Sequence, residues 1–127
     1  MPNPTVIDII ENIGQPFTVN TEEELHTIWT LTCLISPYYD LLDSLGQWAS
    51  KNSVNKERAS KYVADMFNTL SYAAHLNNKP DFRDLSHHAA TPGGLNERAA
   101  IEISNAGAHE AFVKSAENIL KMFRDKT

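Results

Sequence analysis

Apolar residues recur at intervals of three and four along almost the whole chain, and this spacing constrains the fold more than any other feature. It runs through residues 6–13, 25–32, 38–49, 59–74 and 112–123. Such spacing places apolar side chains on one face of an α-helix. The only β-prone run, Phe17-Thr18-Val19, is too short to build a sheet. The sequence therefore predicts an all-α fold of six or seven helices.

Capping and helix-breaking residues predict where these helices begin and end. Thr21 and Glu24 have the spacing of a capping box, in which threonine caps the helix and glutamate returns to the threonine amide. Pro37 is expected to interrupt the following helix, and Asn55 to cap a later one. The remaining expected boundaries are Gly14 with Pro16, residues 77–80, a helix over about residues 92–106 ended by Gly107, and a last helix over residues 109–124.

The length and charge of the chain narrow its class. A chain of 127 residues is the size of one domain, and we expect residues 1–20 to form a linker with a short first helix and residues 21–127 the helical body. The net charge is −5, and no run of Lys or Arg could follow a phosphate backbone. Nucleic acid and anionic membrane surfaces are therefore not expected partners.

The expected location is the cytoplasm. The first ten residues lack the basic and apolar regions of a signal peptide, and no apolar stretch approaches the roughly 20 residues of a membrane span. Cys33 is the single cysteine and stands among Leu31, Leu34 and Ile35. This setting favours a small buried side chain in a reducing compartment.

Most motifs of catalysis and of metal or nucleotide binding are missing. No two of the five histidines have the i, i+4 spacing of a zinc helix, and a single cysteine allows no CxxC pair. The sequence contains neither GxSxG nor GxGxxG. We therefore expect neither a metal nor a cofactor in this chain.

The aromatic residues of the apolar stripes are expected to pack in the core. They are Trp29, Trp48, Phe67 and Phe123. The apolar faces of the long helices are wide, which favours burial of part of them against a second copy.

The stretch at residues 91–96, Thr-Pro-Gly-Gly-Leu-Asn, is the strongest candidate site. Thr91 suits a helix cap and Pro92 the first helical position. Gly93 and Gly94 would then expose two amides that have no intrahelical partner, which is a favourable place for a carboxylate or phosphate. Asn96 could add a side-chain donor and acceptor. The alternative is that the glycines allow a close helix–helix contact or a bend.

These residues carry a resemblance to a known family. ATPGGLNERAAIEISNAGAHEAFVKSAENIL resembles the signature region of the pyrroline-5-carboxylate reductases, which usually have Ser-Pro-Gly-Gly-Thr-Thr. Three further segments, residues 9–32, 33–45 and 52–76, are similar to the linker, the Ser-Gly-Ser-Gly-Pro-Ala-Tyr segment and the long helix of these enzymes. The TPGGLNE form is typical of a divergent branch. The similarity covers only the C-terminal half of a family enzyme.

The resemblance implies a fold and a role. The fold would be an interlocked dimer of helices like the C-terminal domain of 6-phosphogluconate dehydrogenase. The missing N-terminal half would be a Rossmann domain that binds NAD(P)H, and this half would hold a small carboxylate substrate of the kind used in proline biosynthesis.

The resemblance also implies the residues of the site. Leu95-Asn96 replaces the usual Thr-Thr, and both glycines of Ser-Gly-Ser-Gly are lost. Asn96 becomes the candidate catalytic residue, acting by orientation and hydrogen bonding because an amide is no general acid. The substrate-binding residues it implies are Ser36, Thr91, Gly93, Gly94, Leu95 and Asn96.

Two functions remain open at this point. The chain is either the dimerisation and substrate-binding part of an NAD(P)H-dependent oxidoreductase, inactive by itself, or a stand-alone helical dimer that serves as a scaffold without catalysis.

Overall fold

The computed structural model describes residues 3–11 and 17–126, and these residues form seven α-helices. The helices are α1 (Pro4–Glu11), α2 (Glu22–Thr32), α3 (Ile35–Lys51), α4 (Lys56–His75), α5 (Phe82–Ala89), α6 (Leu95–Asn105) and α7 (Ala108–Asp125). The described residues include no strand, and residues 17–19 are irregular. The predicted all-α class and helix number are confirmed. The predicted stop at Gly14 and Pro16 lies outside the described residues.

The start of α2 confirms a capping box with one difference. The Thr21 hydroxyl accepts a hydrogen bond from the Glu24 amide at 3.0 Å, as predicted. The Glu24 carboxylate, however, accepts from the amide of Asn20 at 2.7 Å rather than from that of Thr21. The first bond satisfies an amide of the first helical turn, and the second ties the residue before the cap to that turn.

Pro37 separates α2 from α3, as its missing amide proton and its ring predict. The backbone turns at Cys33 and Leu34, and Pro37 lies in the first turn of α3, where a helix tolerates proline. The Asn55 side chain caps α4 by accepting from the amides of Glu57 and Arg58. The predicted interruption and cap are confirmed.

Helices α3 and α4 form a close antiparallel hairpin. Gly46 is buried, and a Cβ atom at this position would lie 3.3 Å from Ser60 Oγ and 3.7 Å from Ser60 Cα. Beside this contact lie Ala59 and Val63, the two hydrophobic side chains that are buried in the described residues. At the other end of the hairpin the rings of Tyr38 and Phe67 meet edge-on, with their centroids 6.1 Å apart. Small residues thus set the distance between the two helices.

Helix α7 joins two other parts of the chain. Its Phe123 ring stacks on His26 of α2 at 5.4 Å and lies 6.3 Å from Trp29. Arg124 donates to Glu23 at 3.1 Å, which links the same two helices by an ion pair. At its other end, Gly107 has a φ of 79° and turns the chain from α6 into α7, as its predicted role as a helix stop requires. Helix α7 thereby positions α6 and the residues before it.

One copy of the chain leaves much apolar surface in contact with solvent. Its accessible surface is 10946 Å², whereas a compact monomer of this mass has about 6,800 Å². Trp29 is 55% exposed and Trp48 66%, so the prediction that both lie in a core is wrong for a single copy. Cys33 is exposed as well, although its apolar neighbours predicted burial. Leu31 and Ile35, two residues before and after Cys33, are exposed as well. This apolar stretch therefore faces solvent.

No helix among the described residues is long and apolar enough to cross a membrane.

The Gly46–Ser60 contact makes a first prediction. Gly46→Leu should lower the free energy of unfolding by about 1–3 kcal/mol, because the side chain forces α3 away from α4, although leucine favours helix more than glycine does. Urea unfolding at one protein concentration measures the change. Ser44→Leu, an exposed position two residues earlier, is the matched control and should change stability by less than about 0.5 kcal/mol. Equal effects of the two variants would contradict the proposed contact.

Candidate functional site

The glycine turn, residues 91–94, lies between α5 and α6 and precedes the helix rather than starting it. The Gly94 amide donates to the Thr91 carbonyl at 2.8 Å, and α6 begins at Leu95 with Gly94 as its cap residue. The predicted start near Pro92, with Thr91 as the cap, is therefore wrong by three residues. Gly93 has a φ of 75°, which a right-handed helix does not allow. Proline followed by glycine with positive φ is typical of a type II turn.

Both glycines are required by the turn itself. Gly93 needs its positive φ, and a side chain there would be strained in otherwise open space. A Cβ atom on Gly94 would lie 3.0 Å from the Thr91 carbonyl oxygen and 3.3 Å from Thr91 Cβ. Neither position touches another helix closely, so a close helix–helix contact does not explain the glycines. The bend that the sequence left open as an alternative is present.

The turn holds a carboxylate that belongs to the chain itself. The Gly93 amide donates to Oε1 of Glu97 at 3.2 Å, and Glu97 is partly buried in the first turn of α6. Glu97 lies three residues after the cap residue Gly94, and its carboxylate accepts from the amide of the residue before the cap. This arrangement is a variant of the capping box. Sequence reasoning missed Glu97 because it placed the cap at Thr91, and the residue three positions further is then Gly94.

The free amides lie further along the chain than the sequence predicted. The Gly94 amide is bonded within the turn and the Gly93 amide to Glu97. No side chain caps α6, so the amides of residues 95–97 are the ones that an anion could approach at this helix start. Leu95 is 84% exposed and Asn96 is exposed beside it. Both residues belong to the first turn of α6, which carries these amides.

Apart from the Glu97 carboxylate, which would repel a second anion, the surrounding charges have little effect on an anion at this site. Arg98, the nearest cation along the chain, pairs with Glu102 at 2.9 Å one turn further into α6. The pair is exposed, so it is screened by solvent. The backbone amides and the helix dipole therefore supply most of the local positive potential.

Ser36 lies in another part of the structure from the glycine turn. It is exposed in the first turn of α3, and its neighbour Pro37 lines a cavity of about 190 Å³ with Leu34 and the α7 residues Ala111, Phe112 and Ser115. The hydrogen bonds of the described residues do not connect Ser36 to residues 91–97. One copy thus groups Thr91, Gly93, Gly94, Leu95 and Asn96, and adds Glu97, but does not bond Ser36 to them.

The described residues contain no group of three or more His, Cys, Asp or Glu side chains that could hold a metal ion. Comparison with protein-family models, with curated proteins and with solved structures found no match to this chain.

The Glu97 contact makes a second prediction. Glu97→Ala should remove the acceptor of the Gly93 amide, speed hydrogen exchange at that amide and lower the free energy of unfolding by about 1 kcal/mol. Glu97→Gln keeps an acceptor and should have a smaller effect. Amide exchange followed by NMR tests this, with the Gly94 amide as the internal control because its acceptor is a backbone carbonyl. Unchanged exchange at Gly93 in Glu97→Ala would show that the carboxylate does not hold this amide in solution.

Proposed function

We propose that this chain is the dimerisation and substrate-binding part of an NAD(P)H-dependent oxidoreductase that resembles pyrroline-5-carboxylate reductase. The observation that carries the proposal is the hydrogen bond from the Gly93 amide to the carboxylate of Glu97, at 3.2 Å, beside helix amides that have no partner. An amino- or imino-acid substrate has the same chemical group. Its carboxylate would displace that of Glu97 and also reach the amides of residues 95–97.

The residues around the turn would orient the substrate and would not transfer its protons. Asn96 would hydrogen-bond to the substrate nitrogen or to its carboxylate, which fixes the reacting carbon in position. Leu95 would form an apolar side of the site. Ser36 would contribute only if α3, from the same copy or from another, reaches the turn. Because an amide does not act as a general acid, the proton would come from elsewhere.

The hydride would come from NAD(P)H bound to a Rossmann domain that is not in this chain. The sequence lacks the glycine-rich GxGxxG pattern that binds a dinucleotide. We accordingly expect no reductase activity from these 127 residues by themselves.

A second candidate is a helical dimer that acts as a scaffold without catalysis. The observation that favours it is the large apolar surface that one copy exposes, which suits assembly whether or not a substrate binds. The two candidates differ in what they predict for the glycine turn and for the gene. A scaffold has no need to bind carboxylates there, and a βαβ unit with GxGxxG encoded upstream of residue 1 would favour the reductase.

A carboxylate titration separates the two functions. L-Proline, the probe, should shift the amide resonances of Gly93 and of residues 95–97 in a saturable way, whereas prolinamide, which has no carboxylate, should not. Glu97→Ala should tighten binding by about fivefold, because the competing hydrogen bond is worth about 1 kcal/mol. Glu110→Ala removes the same charge from the start of α7 and is the control. Equal, unsaturable shifts with both ligands would favour the scaffold.

Both candidates predict a homodimer. Light scattering on the purified chain should give twice the monomer mass of 14.2 kDa over a wide range of concentration. The physical reason is the excess apolar surface of one copy, which water penalises at about 25 cal/mol per Å². A monodisperse monomer with the expected helix content would contradict the dimer in both proposals.

A further inference from the structure

A groove runs along α4 beside its contact with α3. Its first part, about 590 Å³, has the apolar side chains of Ala49, Val54, Ala59 and Val63 in its lining, and a second part of about 280 Å³ continues past Met66 and Leu70. Tyr62 and Asp65 line both parts, so the two form one groove. From Ala59 to Leu70 it is about 17 Å long, the length of three helical turns.

The apolar stripe in this groove has no partner within the described chain. Tyr62, Met66 and Leu70 follow one another at intervals of four on α4, and their exposed fractions are 70%, 37% and 61%. Intervals of four place the three side chains on one helix face. Ala59 and Val63, on the adjacent strip of the same helix, are buried. Helix α4 therefore carries a wide apolar face of which only part is covered.

The excess accessible surface of one copy is too large to be covered by a small or transient contact. One copy exposes about 4,000 Å² more than a compact chain of its mass. Counted per partner, weak encounters hide less than about 600 Å², whereas obligate homodimers hide about 1,000–2,500 Å² or more. A partner of the size of this chain, held through an extended apolar face, is what the excess requires.

The charges at the edge of the groove favour a second copy over a strongly charged ligand. Glu57 and Asp65 are balanced by Arg58 and Lys61, and Lys61 pairs with Asp65 at 2.6 Å. The edge is therefore neutral, so neither an acidic nor a basic partner is selected. Two identical edges of this kind do not repel each other, which a self-complementary interface requires.

We propose that this groove is the surface on which a second copy of the chain docks, with Tyr62, Met66 and Leu70 of both copies at the centre of a two-fold symmetric interface. The inference rests on the proposed dimer and adds the place where its copies meet. In such an interface the same face is used twice, and a residue near the axis lies close to its own equivalent. Trp48, on the α3 side of the hairpin and 66% exposed, would gain cover at the periphery.

The test uses two positions on opposite faces of the same helix. Tyr62→Glu places a charge in the groove and should raise the dissociation constant of the dimer about 100-fold or more, as the loss of a central interface residue does. Ala64→Glu places the same charge at an exposed position on the opposite face of α4, two residues from Tyr62 and two from Met66, and should leave the dimer intact. Sedimentation equilibrium measures both, and circular dichroism checks the helix content.

A cross-linking experiment tests the interface without disturbing the fold. In a Cys33→Ser background, Met66→Cys should form a disulfide-linked dimer on mild oxidation, whereas Ala64→Cys, on the opposite face of α4, should not. A folded dimer in which Tyr62→Glu and Ala64→Glu behave alike, with no preferential cross-link at Met66→Cys, would overturn the groove while leaving the proposed dimer standing. If Tyr62→Glu fails to fold, the cross-link decides. The L-proline titration reports on the glycine turn independently, so its failure would concern the substrate site alone.

Discussion

The close approach of α3 and α4 is the contact on which the rest of the structure depends. Gly46 against Ser60 lets the two helices approach closely, and the only buried hydrophobic side chains of the described residues, Ala59 and Val63, lie beside it. Helix α7 packs on α2 and α6, and all three of these helices leave large apolar side chains exposed. A hairpin that buries two small side chains cannot alone offset the conformational entropy of ordering more than 100 residues. The described residues of one copy therefore leave large apolar side chains uncovered.

Sequence reasoning succeeded where the signal is local. The spacing of apolar residues gave the helical class, and Thr21, Asn55, Pro37 and Gly107 act at the helix ends much as their side chains and backbone preferences predict. These effects involve residues within one turn of each other. They do not depend on where the rest of the chain lies.

Sequence reasoning failed where two local preferences compete, and where the burial of a side chain depends on residues far away in the chain. At residues 91–94 the rule that proline starts helices competed with the rule that Pro-Gly forms a turn, and the turn prevailed because Gly93 takes positive φ. The exposure of Trp48 and Cys33 has a different cause. Periodicity identifies an apolar face but does not say which element covers it, and these two side chains remain exposed among the described residues.

The two proposals bear on one another through α7. This helix holds α6, and with it the glycine turn, at one side, while its Phe123 packs on α2 and its Phe112 lines the cavity beside Pro37 at the start of α3. Few contacts fix the α3–α4 hairpin relative to this second group of helices. A second copy docked along α4 would restrict that freedom, and the position of Ser36 relative to a carboxylate at the turn would then be set by the assembly. Dimerisation would in this way contribute to the geometry of the site without contacting the substrate.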